Sequence, residues 1–524
     1  MNLPVTGLSP HYLRSRVGKV CVAILGTTAA EMIEKAQACL ADSTFLEFRL
    51  DYLPKPLAAL PKLKQFLGEH SEVTAIATCR RAANGGKFKG TIAAEMEVLN
   101  KVGSAGFLMA DLELETAEHL KPHELEKLRS HGLGLVLSYH DFATTRGLDQ
   151  IFARMRPFEP EFIKIVSTAK SLSDNVTMMH FLERTRDMAS VVGICMGEQG
   201  IISRVLGLRA GSAFTFACAS IGEETAPGQI AARTLIETYR LDQLDRATKV
   251  FGVAGNPVKH SLTPLMLNTA FRRETVNAVS LALQTTSLSD LQTLIREVPI
   301  SGLSVTMPLK QDVLKILEKT DPLSEKIGAC NTIVRAQDGK LYGFNTDVAA
   351  VVRPLEKRLK LKDAKILVMG AGGAARAAVF GLREKGAEVF ILNRTAPAGQ
   401  KLARESKSKT FRRDHLQKTQ FDVIVNATPV GMQGVKPQHI LEPKEINARL
   451  VFDLVYNPIE TPLIRMAREK GIPVVTGVEM FVHQGARQFE IWTGKPAPEE
   501  EMLRVVVHAL RQRKEAAAAV RTKS

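Results

Sequence analysis

Long apolar runs are missing from this 524-residue sequence. No stretch approaches the roughly 18 consecutive apolar residues that a membrane-spanning helix needs. Residues 1–16 carry no apolar signal-peptide core and are too short to identify as a transit peptide. Paired cysteine motifs are missing too. Cysteines 21, 39, 79, 195, 218 and 330 are scattered, mostly in apolar runs, with no C-x-x-C. That argues for core thiols in a reducing compartment, cytoplasm or plastid, and against a metal site. No nucleic-acid recognition motif accompanies the formal charge of +15. The excess is read as a solvated basic tail (Arg504, Arg511, Arg513, Lys514, Arg521 and Lys523) together with sites for small anions. Small-molecule substrates are expected as partners, with no nucleic acid and no membrane. The length calls for two or three domains, and 45% apolar with 24% charged residues is a globular composition.

What is present is organised around KILVMGAGGAARA at 365–377. An apolar strand breaks into glycines, and an alanine-rich helix follows. Gly370, Gly372 and Ala375 have the G-x-G-x-x-A spacing, with Ala371, Gly373 and Ala374 completing the turn. The first glycine makes the turn and the second lets backbone approach a pyrophosphate. The small third residue lets helix and strand pack. A glycine turn without a ligand has the same appearance. The second apolar strand, 388–392, ends in Asn393, Arg394 and Thr395 where an NAD site usually has an acidic residue. Arginine suits the 2′-phosphate of NADP, so an NADP-binding fold is expected.

Between residues 19 and 239, eight short apolar runs alternate with amphipathic stretches: 20–25, 45–50, 73–79, 107–112, 134–138, 162–166, 191–195 and 213–216. Eight is the number a closed (β/α)8 barrel needs, and such a barrel works at the C-terminal ends of its strands. Polar residues gather there: Glu47, Arg49, Arg80, Asp111, Glu113, His140, Asp141, Ser203 and Arg204. Lys164 lies inside the apolar run FIKIV. Facing a barrel interior, desolvation and nearby arginines would disfavour its ammonium form and make it a nucleophile. A lysine snorkelling from an edge strand, and a structural histidine at 140, are the alternative readings.

The segment resembles the type I 3-dehydroquinate dehydratases through EFRLD at 47–51, TCR at 78–80, SYHDF at 138–142, FIKI at 162–165, MGEQGIISR at 196–204 and TAPGQ at 225–229. The resemblance implies that Lys164 forms a Schiff base with the substrate ketone and that His140 moves the proton. It gives Arg204 the carboxylate and Glu47, Arg49, Arg80, Thr225 and Gln229 the rest of the substrate. Asn84 stands where the family commonly has Glu, and Thr225 where Ser is usual.

The junction around 239–249 has no Pro or Gly and reads as a helix end running into the next domain. Beyond it, VFGVAGNPVKHSLTP at 250–264 ends a strand in hydroxyl-bearing residues, a plausible carboxylate pocket or an ordinary helix cap. GLSVTMPLK at 302–310, ACNT at 329–332 and GFNTD at 343–347 follow, each after an apolar run. With NATPVGM at 426–432, DLVYNP at 453–458 and GVEMFVHQG at 477–485, they resemble shikimate dehydrogenase. The resemblance implies a proton-relaying pair, Lys310 and Asp347. It places Ser261, Thr263 and Thr306 on the carboxylate side, and Asn331, Asp347, Tyr456 and Gln484 on the ring hydroxyls. The glycine turn, residues 393–395, Thr428 and Gly477 fall to NADP. Thr263, Ser304 and Ala350 depart from the common Ser, Asn and Gly. A preference for quinate is the neighbouring alternative.

The expected architecture is therefore α/β: a barrel over 1–240, a substrate lobe over 250–346 completed by about 479–512, a Rossmann lobe over 347–478, and a disordered basic tail over 513–524. The order matches the fused enzymes of the shikimate pathway familiar from plants.

Overall fold

The first eight apolar runs form eight parallel strands: β1 (Val20–Ile24), β2 (Phe45–Arg49), β3 (Thr74–Thr78), β4 (Met109–Glu113), β5 (Gly134–His140), β6 (Phe162–Thr168), β7 (Val191–Met196) and β8 (Thr215–Cys218). The computed structural model describes residues 10–433, 435 and 439–521. Hydrogen-bonded order runs β7-β6-β5-β4-β3-β2-β1-β8. No ladder joins β7 to β8; instead Ala213 N–H donates to Val191 O at 2.7 Å, and Gly193 N–H donates to Ser212 Oγ at 3.2 Å. The sheet is a barrel with one lightly stitched seam.

A period of two along each strand sorts the interior into layers. Phe45, Ile76, Met109, Val136 and Phe162 pack in one apolar cluster, with Leu13 of helix Pro10–Arg16 buried among them. Two residues further along the same strands come Glu47, Thr78, Asp111, Ser138 and Lys164, all buried. Two further again come Arg49, Arg80, Glu113 and His140. The apolar layer thus supports a polar floor at the C-terminal end.

Two units divide the chain, Met1–Thr248 with Arg296–Val298, and Lys249–Ile295 with Pro299–Ser524. The junction is less regular than a continuing helix. Arg240 takes φ 50°, ending the helical turns, and Thr248 closes a turn by donating to Asp245 at 2.9 Å. Arg209 then holds this segment, its Nη1 donating to Thr248 O at 3.0 Å and its Nη2 to Arg246 O at 2.9 Å. Because each unit has its own core, chain separated after Thr248 is expected to give a fragment with dehydratase activity and one with dehydrogenase activity. Assays on the two purified pieces check this; two inactive pieces would contradict it.

The second unit holds two sheets. One is mixed, ordered β10-β9-β11-β13-β14-β12, from β9 (Lys249–Gly255), β10 (Ala278–Gln284), β11 (Ile300–Val305), β12 (Lys319–Thr320), β13 (Thr332–Arg335) and β14 (Leu341–Phe344). The other is parallel, ordered β17-β16-β15-β18-β19-β20, from β15 (Lys365–Met369), β16 (Glu388–Leu392), β17 (Lys409–Thr410), β18 (Phe421–Asn426), β19 (Ala448–Asp453) and β20 (Val474–Val475). That is the doubly wound 3-2-1-4-5-6 order, which places a ligand crevice beyond the ends of β15 and β18.

Helices Gly477–Thr493 and Glu499–Arg521 return to the first sheet. Phe481, Phe489, Trp492, Met502, Val506 and Leu510 share a core with Phe251, Met266 and Phe271, and the Trp492 indole N–H donates to Ile333 O at 3.0 Å. The disordered tail expected from 513 is replaced by helix through Arg521. The alanine run at 516–519 explains it, since alanine has the highest helix propensity. The remaining residues, 522–524, lie outside the described ones. All six cysteines are buried and free. Among the described residues no helix is long and apolar enough to cross a membrane.

Candidate active sites

On the polar floor of the barrel, Lys164 Nζ donates to Asp111 Oδ2 at 2.9 Å and lies 3.5 Å from Glu47 Oε1. It also sits 4.0 Å from the centre of the Phe216 ring. The arginines expected beside it are committed elsewhere, Arg80 to Asp111 and Glu113, and Arg49 to Asp51 through bonds of 2.9 and 2.8 Å. Carboxylates therefore surround the amine, in place of the cations anticipated. Burial pushes the Glu47 carboxyl up, but Lys164 and then Arg49 outweigh it and hold it below its ordinary value. Asp111 is held low in the same way, against burial, by Lys164 and Arg80.

His140 reaches this group from the end of β5, its Nδ1 3.2 Å from Glu113 Oε2. Burial, and then the Arg80 charge, lower its pKa, while Glu113 acts in the opposite sense. Ser138 links the two acids, donating to Asp111 at 2.6 Å with Glu113 at 3.0 Å. Asn84, in place of the family Glu, does not meet His140 in a hydrogen bond; its amide donates to Glu115 at 3.3 Å. Glu113 holds the imidazole instead.

Arg204 stands apart. It is 2% exposed, its Nε has no hydrogen-bond partner, and its Nη2 makes only a 3.4 Å bond to Pro227 O. Burial lowers its pKa to about 10, so it remains charged at neutral pH. A buried guanidinium without an anion is costly unless an anion completes it. Pro227 belongs to the loop in which Gln229 Oε1 accepts from Thr225 N at 2.7 Å and Oγ1 at 3.1 Å. Arg204, Thr225 and Gln229 are thus brought together, whereas Arg49 is closed into its own ion pair.

In the second unit Lys310 Nζ donates to Asp347 Oδ2 at 2.5 Å. Asn331 Nδ2 donates to Asp347 Oδ1 at 2.8 Å, and Asn331 Oδ1 accepts Thr346 N–H at 2.8 Å. These residues come from the turn after β11, the start of β13 and the start of helix Asp347–Glu356. Ser261 donates to Thr263 Oγ1 at 3.1 Å. Tyr456 stacks on Phe481 with centroids 4.3 Å apart. Thr306 is fixed through its backbone, N–H to Ala254 O at 2.9 Å, and the Gln484 amide donates to Phe481 O of its own helix at 3.0 Å.

The glycine turn lies beside this site, since a Cβ at Gly373 would come 3.2 Å from Lys310 Cδ. Gly370 has φ +116°, and a Cβ at Gly372 would meet nothing within 4 Å, which leaves open space over the turn. Ala375 is fully buried against the sheet. Across the crevice, Asn426 Oδ1 accepts from Thr428 N at 3.0 Å and Oγ1 at 2.7 Å, and Asn426 Nδ2 donates to Asp453 at 2.9 Å. Burial raises the Asp453 pKa to about 6. Asn393 bonds Thr395 O at 2.8 Å, and Arg394 is exposed with no partner among the described residues. Gly477 serves close packing, because a Cβ there would overlap Val455 backbone. Among the described residues no cluster of His, Cys, Asp or Glu could hold a metal.

The family profile described as type I 3-dehydroquinase matches residues 20–246. Three more match in order: shikimate dehydrogenase substrate binding domain at 253–333, shikimate / quinate 5-dehydrogenase at 354–461, and shikimate 5'-dehydrogenase C-terminal domain at 477–507. A bifunctional 3-dehydroquinate dehydratase/shikimate dehydrogenase, chloroplastic, from Arabidopsis thaliana is 32% identical over 517 residues, covering 94% of this chain and 85% of the relative. The chain belongs to the bifunctional dehydroquinate dehydratase/shikimate dehydrogenase family. A shikimate dehydrogenase (NADP(+)) from Maridesulfovibrio salexigens is 40% identical over 272 residues, covering 50% of this chain and 97% of that protein. A solved shikimate 5-dehydrogenase from Thermus thermophilus, in complex with NADP(H) and shikimate, is 34% identical with TM-score 0.47, covering 50% of this chain and all of that one.

For this bifunctional family member, the candidate list drawn from the sequence omitted groups that the structure ties to it. Thr78 donates to Glu47 at 2.8 Å, and Ser138 donates to Asp111 at 2.6 Å, whereas Asp111 and Glu113, named among the strand-end acids but given no role, pair with Lys164, Arg80 and His140. Their two-residue offset from the apolar layer was the available signal. Asn426 and Asp453 were visible only inside longer motifs, with nothing in the spacing to pair them.

Proposed function

We propose that the barrel dehydrates 3-dehydroquinate to 3-dehydroshikimate through Lys164, and that the second unit reduces 3-dehydroshikimate to shikimate with NADPH. The observation that carries the first half is the placement of Lys164 and His140 in one buried polar floor, with Arg204 left without an anion. The Lys164 amine adds to the substrate ketone and water leaves, giving a protonated imine. His140 takes the proton from the neighbouring carbon, and the electrons are drawn toward the imine. The hydroxyl on the next carbon departs with a proton returned by His140. Water then hydrolyses the imine and frees Lys164, so the net change is loss of one water. Arg204 receives the substrate carboxylate, and Glu113 orients His140.

The open space at Gly372, the positive φ of Gly370 and the free Arg394 fit a dinucleotide carrying a 2′-phosphate. Gly370, Gly372, Arg394 and Thr428 would hold it. When bound, NADPH supplies the reducing equivalent. Lys310 and Asp347 deliver the proton to the carbonyl oxygen, Asn331 fixes Asp347, and Ser261 with Thr263 binds the carboxylate. A coupled assay tests the whole reading: purified protein given dehydroquinate and NADPH should form shikimate, with quinate and NAD as controls. Failure of either step would reject that half.

Cofactor choice is expected to rest on Arg394. A guanidinium–phosphate contact contributes roughly 1.5–3 kcal/mol, reduced by exposure. Arg394→Ala should raise KM for NADP about tenfold and leave KM for NAD and dehydratase activity nearly unchanged. Equal loss with both cofactors would make Arg394 structural.

A further inference from the structure

The C-terminal helix Glu499–Arg521 contributes Met502, Val506 and Leu510 to the core that also holds Leu262, Met266 and Ala270. These positions repeat at four residues, one face of a helix. Three residues beyond Leu510 the same face presents Arg513. Its Nη1 donates to His260 O at 2.8 Å, so the side chain comes to the turn that carries Ser261 and Thr263. The Tyr456 phenol oxygen lies against the Ser261 hydroxyl and the Leu262 N–H, and Arg513 is near enough for its charge to act on that phenol. Burial pushes the Arg513 pKa down, and Tyr456 is the one group raising it. Among the described residues no carboxylate pairs with this guanidinium. It has five N–H donors, and one is used.

A half-buried cation beside three hydroxyls, with donors to spare and no acid, is a binding group without its anion. We propose that Arg513 is a substrate-binding residue of the dehydrogenase, pairing through its free N–H groups with the carboxylate that Ser261 and Thr263 also hold. This rests on the reading that those two hydroxyls face the carboxylate. It converts a pocket of neutral donors into a charged one, so the enzyme selects acids over their uncharged derivatives. The planar guanidinium suits this role because it can offer two parallel donors to one carboxylate while a third holds His260 O.

The test compares an acid with its ester. Shikimate KM and the inhibition constant of methyl shikimate are measured on the full chain for wild type, Arg513→Gln and Arg513→Lys. Arg513→Gln should raise KM for shikimate at least tenfold and leave binding of the uncharged ester, KM for NADP and dehydratase activity within about twofold. Arg513→Lys should recover part of the loss, and it also serves if the glutamine variant folds poorly. Parallel weakening of acid and ester would show that Arg513 merely props the His260 turn, and would overturn the proposal. So would an unchanged shikimate KM. Ser261→Ala separates the two levels: if it raises KM while Arg513→Gln does not, only the arginine assignment fails. If neither changes KM, the carboxylate pocket itself lies elsewhere.

Discussion

Lys164→Ala is expected to abolish dehydration, by on the order of 10⁴–10⁶-fold in kcat, because it removes the covalent path itself. Borohydride with substrate should inactivate the wild-type dehydratase and label the peptide containing Lys164; a label elsewhere would reject the assignment. His140→Ala should behave differently. It should still be trapped by borohydride, while elimination falls about 10²–10⁴-fold for a lost acid/base group. The pH profile follows from the surroundings of His140. Burial first, and the Arg80 charge second, lower its pKa, so the neutral base is already present at neutral pH. Activity should therefore be lost only as the medium is made more acidic than the ordinary histidine value of about 6.5. Glu113→Gln weakens the largest interaction that favours the imidazolium, so the acidic limb should move further down. A limb that moved up would show that Glu113 does not hold the ring.

Lys310→Ala and Asp347→Ala should each lower kcat for shikimate oxidation by roughly 10²–10⁴-fold and leave dehydration of dehydroquinate intact. The two groups are joined at 2.5 Å, and Asn331 bonds the other Asp347 oxygen at 2.8 Å. Removing the lysine leaves a buried carboxylate held only by an amide; removing the acid leaves the ammonium free to turn away. The double variant should be little worse than either single one, since groups acting as a unit are strongly non-additive. Additive losses would mean that the two serve separate steps. If both single variants kept wild-type kcat, the proton relay would lie elsewhere.

The barrel was legible because burial on a parallel sheet forces two periodicities onto the sequence at once. Apolar runs marked the strands, and acids or a lysine inside such runs marked the interior. Strand ends were less readable. Met109 begins β4 two residues after the apolar run starts, because Phe107 N–H still closes the preceding turn on Val102 O. Partnerships were not readable at all. Arg49 and Arg80 are both arginines at adjoining strand ends, yet one is closed onto Asp51 and the other joins the group that includes His140. That choice depends on which acid each side chain meets, two residues on along the chain for Arg49 and on the neighbouring strand β4 for Arg80. Arg513 was hidden for the opposite reason: six basic residues in one segment read as a solvated tail, and only folding shows which one faces inward.

The two-helix return at residues 477–521 has a consequence for how the chain is made. Met1–Thr248 leaves the ribosome as a unit able to close on itself. The mixed sheet β9–β14 cannot do so, because Phe489, Trp492 and Met502, which share its core, are made only after the parallel-sheet lobe. Between the emergence of Asp347 and that of Gly477 the parallel-sheet lobe is synthesised, an interval on the order of ten seconds at ordinary rates of translation. During it Phe251, Met266 and Phe271 present an uncovered apolar face. The nascent enzyme thus carries a finished dehydratase tethered to a sticky, half-built reductase, and chaperones that shield apolar surface during translation have their natural target in residues 249–346.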